Sequence, residues 1–216
     1  MTAITASQEP RTVSSIRFTV AAGLVGWLAL VVVLGAGGSF VSPPGTAPVA
    51  IGIGFSAPIV VFFAALWLSR PFQAFVAALD LRLISAIQAW RFAGLGFLAL
   101  YAHNVLPGSF ALPAGLGDIA IGLTAPWIVI SLIRRPSFAT GTAFKVWNAL
   151  GVLDLVVAIS TGALGSALAT GALGEITTQP MALLPLVLIP AYLVPMFLML
   201  HVAALIQARR FTRDAG

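Results

Sequence analysis

The chain is predicted to be an all-α integral membrane protein with six transmembrane helices, arranged as three tandem helical hairpins, and with both termini cytoplasmic. Three observations predict this. Of 216 residues, 60% are hydrophobic and only 8% are charged, too little charge to cover the surface of a soluble domain. The apolar residues gather into six runs of the length a bilayer requires. And ten of the eleven Lys and Arg residues fall in segments that alternation of the spans places on one side, which the positive-inside rule makes the cytoplasm. The eleventh is Arg91. The connections 39–47, 106–112 and 163–180 carry no Lys or Arg at all.

Residues 1–15 are polar and read as a disordered tail. The first span, 16–38, is longer than the core of a cleaved signal peptide and is taken as retained. A Gly/Pro-rich turn at 42–47 leads to the second span, 47–69, closed by Arg70-Pro71. Between 71 and 83, Phe72, Phe75, Val76, Leu79 and Leu83 share one helical stripe. Two readings stay open for them: a short helix lying in the headgroup region, or an extension of the third span. The third span is placed at 85–105, the fourth at 112–133 before Arg134-Arg135, the fifth at 142–162 and the sixth at 181–207. The domain therefore covers 16–207, with hairpins at 16–69, 85–133 and 142–207, followed by a basic tail, 208–216. Arg outnumbers Lys ten to one, which is associated with GC-rich bacterial genomes, so a bacterial cytoplasmic membrane is the expected location.

A shift of 57 residues superposes the hairpin 85–133 on 142–207. Trp90 falls on Trp147, Gly94 on Gly151, Leu98 on Leu155, and Leu116-Gly117-Asp118-Ile119 on Leu173-Gly174-Glu175-Ile176. The copies run in the same direction, unlike the inverted repeats of many secondary transporters.

Ionisable residues inside a span mark function or hold helices together. The candidate polar path comprises Arg91, Asp118, Asp154, Tyr101, His103, Asn104, Asn148 and His201. From the predicted boundaries and a rise of about 1.5 Å per residue, Arg91, Asp154 and His201 form an inner layer. Asp118, with Tyr101, His103 and Asn104, forms an outer one. Arg91 and Asp154 suit an ion pair. Asp118 at the start of its helix suits either a backbone acceptor or a proton or cation site. Lys145 reads as a snorkelling anchor and Glu175 as a solvated loop residue. Pro185, Pro190 and Pro195 interrupt the sixth span, where freed carbonyls line a site or are simply re-satisfied.

Several classes are excluded or unsupported. With no cysteine, disulfides and thiolate chemistry are impossible. The two histidines sit near opposite faces, so a shared haem is not expected, nor is a zinc site. No nucleophile motif occurs, so no cofactor, metal or catalytic residue is assigned. Basic residues flank apolar runs instead of forming a patch, so nucleic acid is not a partner. The expected partners are the lipid bilayer and an unidentified small solute or ion; a homo-oligomer is left open. Transport or permeation of that solute is the leading function. A non-transporting accessory or assembly subunit is the competing one.

Overall fold

The computed structural model describes residues 9–214. Among them there is no strand, and six helices are long and apolar enough to cross a membrane: Ser15–Ala36, Val49–Leu68, Leu81–Ala102, Gly108–Arg134, Thr142–Ala167 and Ile189–Arg209. The first lies within α1 (Glu9–Ala36) and the second is α2 (Val49–Leu68). Of the polar segment 1–15, residues 1–8 lie outside the described residues, and the remainder already belongs to α1.

Residues 71–83 do not form one helix. Ser69 caps a separate eight-residue helix, α3 (Arg70–Ala77), accepting the Phe72 N–H at 3.3 Å, with Pro71 in its first turn. In the first turn proline's missing donor is harmless, because the N–H groups there have no intrahelical partner. Asp80 then caps α4 (Leu81–Ile87) by accepting the Arg82 N–H at 2.8 Å. The third span therefore starts at Leu81, not 85. The apolar stripe is divided: Val76 is buried, Leu79 lies in the turn and Leu83 is exposed. Phe72 packs edge-on against Phe62 of α2.

The third span changes helical type as it crosses. α4 passes into a 3₁₀ segment, Gln88–Gly94, and then into α5 (Leu95–Ala102). A 3₁₀ helix has three residues per turn, so every third side chain eclipses. Burial follows that period: Gln88, Arg91 and Gly94 are the buried residues of the segment. The unusual geometry thus stacks one amide, one guanidinium and one glycine on a single face.

α6 (Gly108–Arg134) starts directly after Pro107, four residues before its predicted boundary. α7 (Thr142–Ala167) runs five residues beyond its own. The sixth span is shorter than expected: residues 181–187 are 3₁₀, bend and turn, followed by a π-helical turn, Ile189–Leu193, and then α8 (Val194–Asp214). Pro180, Pro185 and Pro190 each lack the N–H that an α-helix would need there. Pro195, inside α8, likewise cannot bond the Ala191 carbonyl. That acceptor takes the Trp27 indole N–H of α1 at 3.0 Å instead.

The sixth span is the most enclosed, with 50% of its apolar stretch buried against 6% for α2. The third and fifth spans pack against it, the fourth packs on the third and fifth, and α1 and α2 lie against the sixth span and α3. The 3₁₀ segment approaches α6 most closely. A Cβ on Gly94 would lie 2.6 Å from the Asp118 Cβ, and one on Gly122 would meet the Phe92 backbone.

Candidate functional site

Arg91 has no exposed side-chain surface, and a guanidinium buried among apolar helices requires partners for its charge and its donors. Four groups from three other spans supply them. Its Nε donates to Asp118 Oδ1 of α6 at 2.7 Å and its Nη2 to Asp154 Oδ2 of α7. Nη1 donates to the Gly151 carbonyl at 3.3 Å and lies 3.1 Å from Nε2 of His201 on α8. The guanidinium has five N–H groups and no acceptor, so His201 Nε2 is the acceptor and its Nδ1 carries the proton. That N–H faces Asn148 Oδ1 at 2.9 Å, and the Asn148 amide donates to the Phe144 carbonyl at 2.9 Å. His201 is therefore a neutral imidazole in a fixed tautomer. The Trp147 ring packs against it, centroid to centroid 5.3 Å.

The two expected polar layers are thus one. Their separation rests on the expected starts of the third and fourth spans, each four residues too late. Counted from Leu81, Arg91 lies about 15 Å in, and Asp118 counted from Gly108 also lies about 15 Å in. Asp154 is about 18 Å from the start of α7 and His201 about 12 Å from Arg209. All four meet in mid-span, and Asp118 is no helix-end acceptor. Tyr101, His103 and Asn104 lie elsewhere: all three are exposed where the third span turns into the fourth. Asn104 takes a left-handed φ of 56° there, and Tyr101 covers Gly108. None of the three bonds to the Arg91 cluster.

Two glycines let the cluster close. A Cβ on Gly151 would overlap the His201 ring, and one on Gly117 would overlap the Asp154 carboxylate. Gly151 was visible only as half of a repeat match with Gly94, and its carbonyl contact had no sequence signal. Gly94 likewise allows a close helix approach, whereas Gly26 and Gly96 face open space.

The repeat partners are not in equivalent settings. Trp90 is 77% exposed where Trp147 is buried. Asp118 is mid-helix, whereas Glu175 lies in the irregular connection 168–178 and is exposed. There the Glu175 carboxylate accepts the N–H groups of Thr170 and Gly171 and the Thr170 hydroxyl at 2.8–3.0 Å. The backbone N–H of Thr170 holds it below the usual glutamate range, with the Thr170 hydroxyl second.

Charge and space coincide at Asp118. The cluster holds two carboxylates and one guanidinium, and Asp118 and Asp154 keep 17% and 12% of their side-chain surface accessible. A cavity of about 460 Å³ extends from the connections 40–49 and 169–179 inward to Asp118. A second, of about 330 Å³, lies beyond it between the 3₁₀ segment and the sixth span, bordered by Arg91, Phe197 and the exposed Trp90. Both are lined by Phe97, Asp118, Leu155, Ile189 and Val194. Below Arg91 on the third span, the Ser85 hydroxyl and the Gln88 side-chain amide oxygen are buried with no partner among the described residues. The Gln88 side-chain amide donates to the Phe197 carbonyl at 3.2 Å.

Among the described residues, no group of three or more His, Asp and Glu is placed to hold a metal ion. No curated protein matches the chain, and no solved structure does. Residues 48–209, more than half of the chain, match the family described as Domain of unknown function (DUF8737), and the chain belongs to that family.

Proposed function

We propose that this membrane protein carries or conducts a small solute or ion past the Arg91–Asp118–Asp154 cluster. The single observation behind the proposal is the position of Asp118. It is a partly accessible carboxylate in mid-span, between two cavities, with one oxygen committed to Arg91 and nothing among the described residues donating to the other. A group whose only task was to hold helices together would be enclosed on all sides, as Arg91 and His201 are. An accessory-subunit reading rests on those two residues, whose bonds tie four spans together. The six spans are read as three tandem hairpins in a cell membrane, with the termini and the basic links cytoplasmic. The larger cavity then opens on the outer side.

Two measurements test this. In proteoliposomes, Asp118→Asn is expected to lower flux at least tenfold, while the protein stays folded and monodisperse in detergent. Unaltered flux would remove Asp118 from the path. The orientation is tested by introducing single cysteines, for which the chain provides no background. A cysteine at Ser109 should react with an impermeant maleimide from outside intact cells, and one at Arg135 should not. The reverse pattern would invert the topology.

A further inference from the structure

We propose that the larger cavity is a site for a small organic monocation, an ammonium centre on a compact apolar body, with Asp118 as its counter-charge. This rests on the reading of the cavity as a solute site and adds the class of solute.

The charges bordering the cavity have one sign. Its lining contains no Lys, Arg or His, and its two ionisable residues are Glu175, near the outer connections, and Asp118, deep within. Arg91 neutralises one carboxylate's worth of charge in the cluster, so with both carboxylates ionised one negative charge is left over. In a poorly solvated interior, that charge attracts a cation far more strongly than it would in water. An anion entering here would meet net repulsion.

The size and polarity of the remaining wall argue against a bare inorganic ion. The volume, about 460 Å³, is in the range of pockets that enclose small organic ligands. Between the two carboxylates the lining is mostly apolar, including Phe97, Phe110, Leu155 and Ile159. A dehydrating metal ion needs several oxygen ligands at once, which these side chains do not supply. An apolar body with one cationic centre satisfies both parts of the wall. Phe97 and Phe110 meet edge to face with centroids 5.4 Å apart, and aromatic faces attract ammonium groups.

The test uses the full chain in nanodiscs of zwitterionic lipid, with empty nanodiscs subtracted. Equilibrium binding of benzyltrimethylammonium is compared with that of phenylmethanesulfonate, which has the same ring and the opposite charge. The cation is expected to bind saturably and at least tenfold more tightly than the anion, and Asp118→Asn should weaken cation binding at least tenfold. Charge selectivity of the unmodified chain does not depend on whether the variant folds. Equal binding of the two probes, no saturable cation binding, or an unchanged Asp118→Asn would each overturn the inference. Cation binding without flux would retire transport and leave this site standing. Flux of a neutral or anionic solute without cation binding would do the opposite.

Discussion

Arg91→Leu is expected to destabilise the protein by about 3–5 kcal/mol, the usual consequence of leaving a buried charge without its partner. Here two carboxylates, the Gly151 carbonyl and His201 lose their shared donor together. Arg91→Lys should recover little of the loss. An ammonium has three donors at one point, whereas the guanidinium makes four bonds from three nitrogens spread over a plane. Arg91→Leu combined with Asp154→Leu should destabilise less than the two single changes added together. The combination with both Asp118→Asn and Asp154→Leu should recover more, because it leaves no orphaned carboxylate. Thermal unfolding in nanodiscs measures the cycle. Strict additivity would mean that Arg91 and Asp154 do not interact.

A methyl group placed at Gly122 should have an effect of similar size by a different route. Its Cβ would meet the Phe92 amide and lie 2.9 Å from the Arg91 carbonyl carbon and the Phe92 Cα. These are backbone atoms, so no rotamer change relieves the clash, and the third and fourth spans must move apart. Overpacking of a tight interior typically costs about 1–3 kcal/mol, occasionally more. The displacement also pulls Arg91 from Asp118, adding the loss of charge pairing to the steric term. Gly96→Ala is the control. Nothing lies within 4 Å of a Cβ there, and alanine is the better helix former by about 1 kcal/mol. If Gly122→Ala melts at the same temperature as Gly96→Ala, the close approach of the two spans is not what holds them.

The number and type of spans were legible because hydropathy is a property summed over some twenty residues, and a few misplaced ends hardly alter it. The site demanded more. Its parts were each named in advance: Arg91, Asp118, Asp154, Asn148 and His201 all stood out as polar groups in apolar runs. Their convergence was hidden by two helix starts, and both had local signals. Asp80 before an apolar run is a cap, and Pro107 breaks any helix running into it, so that a new one can start just after it. Neither affects a hydropathy window. The 3₁₀ segment of the third span could not be read from residue types, because it answers to packing across spans, whereas the prolines of the sixth span did mark its irregular start. The 57-residue repeat aligned Asp118 with Glu175, but one lies inside a helix and the other in a loop. A sequence match says nothing about which surroundings each residue will meet.

The buried arginine also has a history within each molecule's synthesis. Membrane helices leave the translocation machinery in sequence, and Arg91 emerges before any residue able to neutralise it. The third span has the lowest mean hydropathy of the six, 1.5, and an arginine near mid-bilayer opposes insertion by about 2.5–3.5 kcal/mol. Its first counter-charge, Asp118, follows 27 residues later; Asp154 is 63 residues away and His201 110. A chain exposing Arg91 to lipid for the whole of that interval would be under continual pressure to slide the span back out. The short turn at 103–107 shortens the wait. It delivers Asp118 as the next span arrives, so the third and fourth spans are suited to enter the bilayer as one neutralised pair, with the later helices closing around a charge already answered.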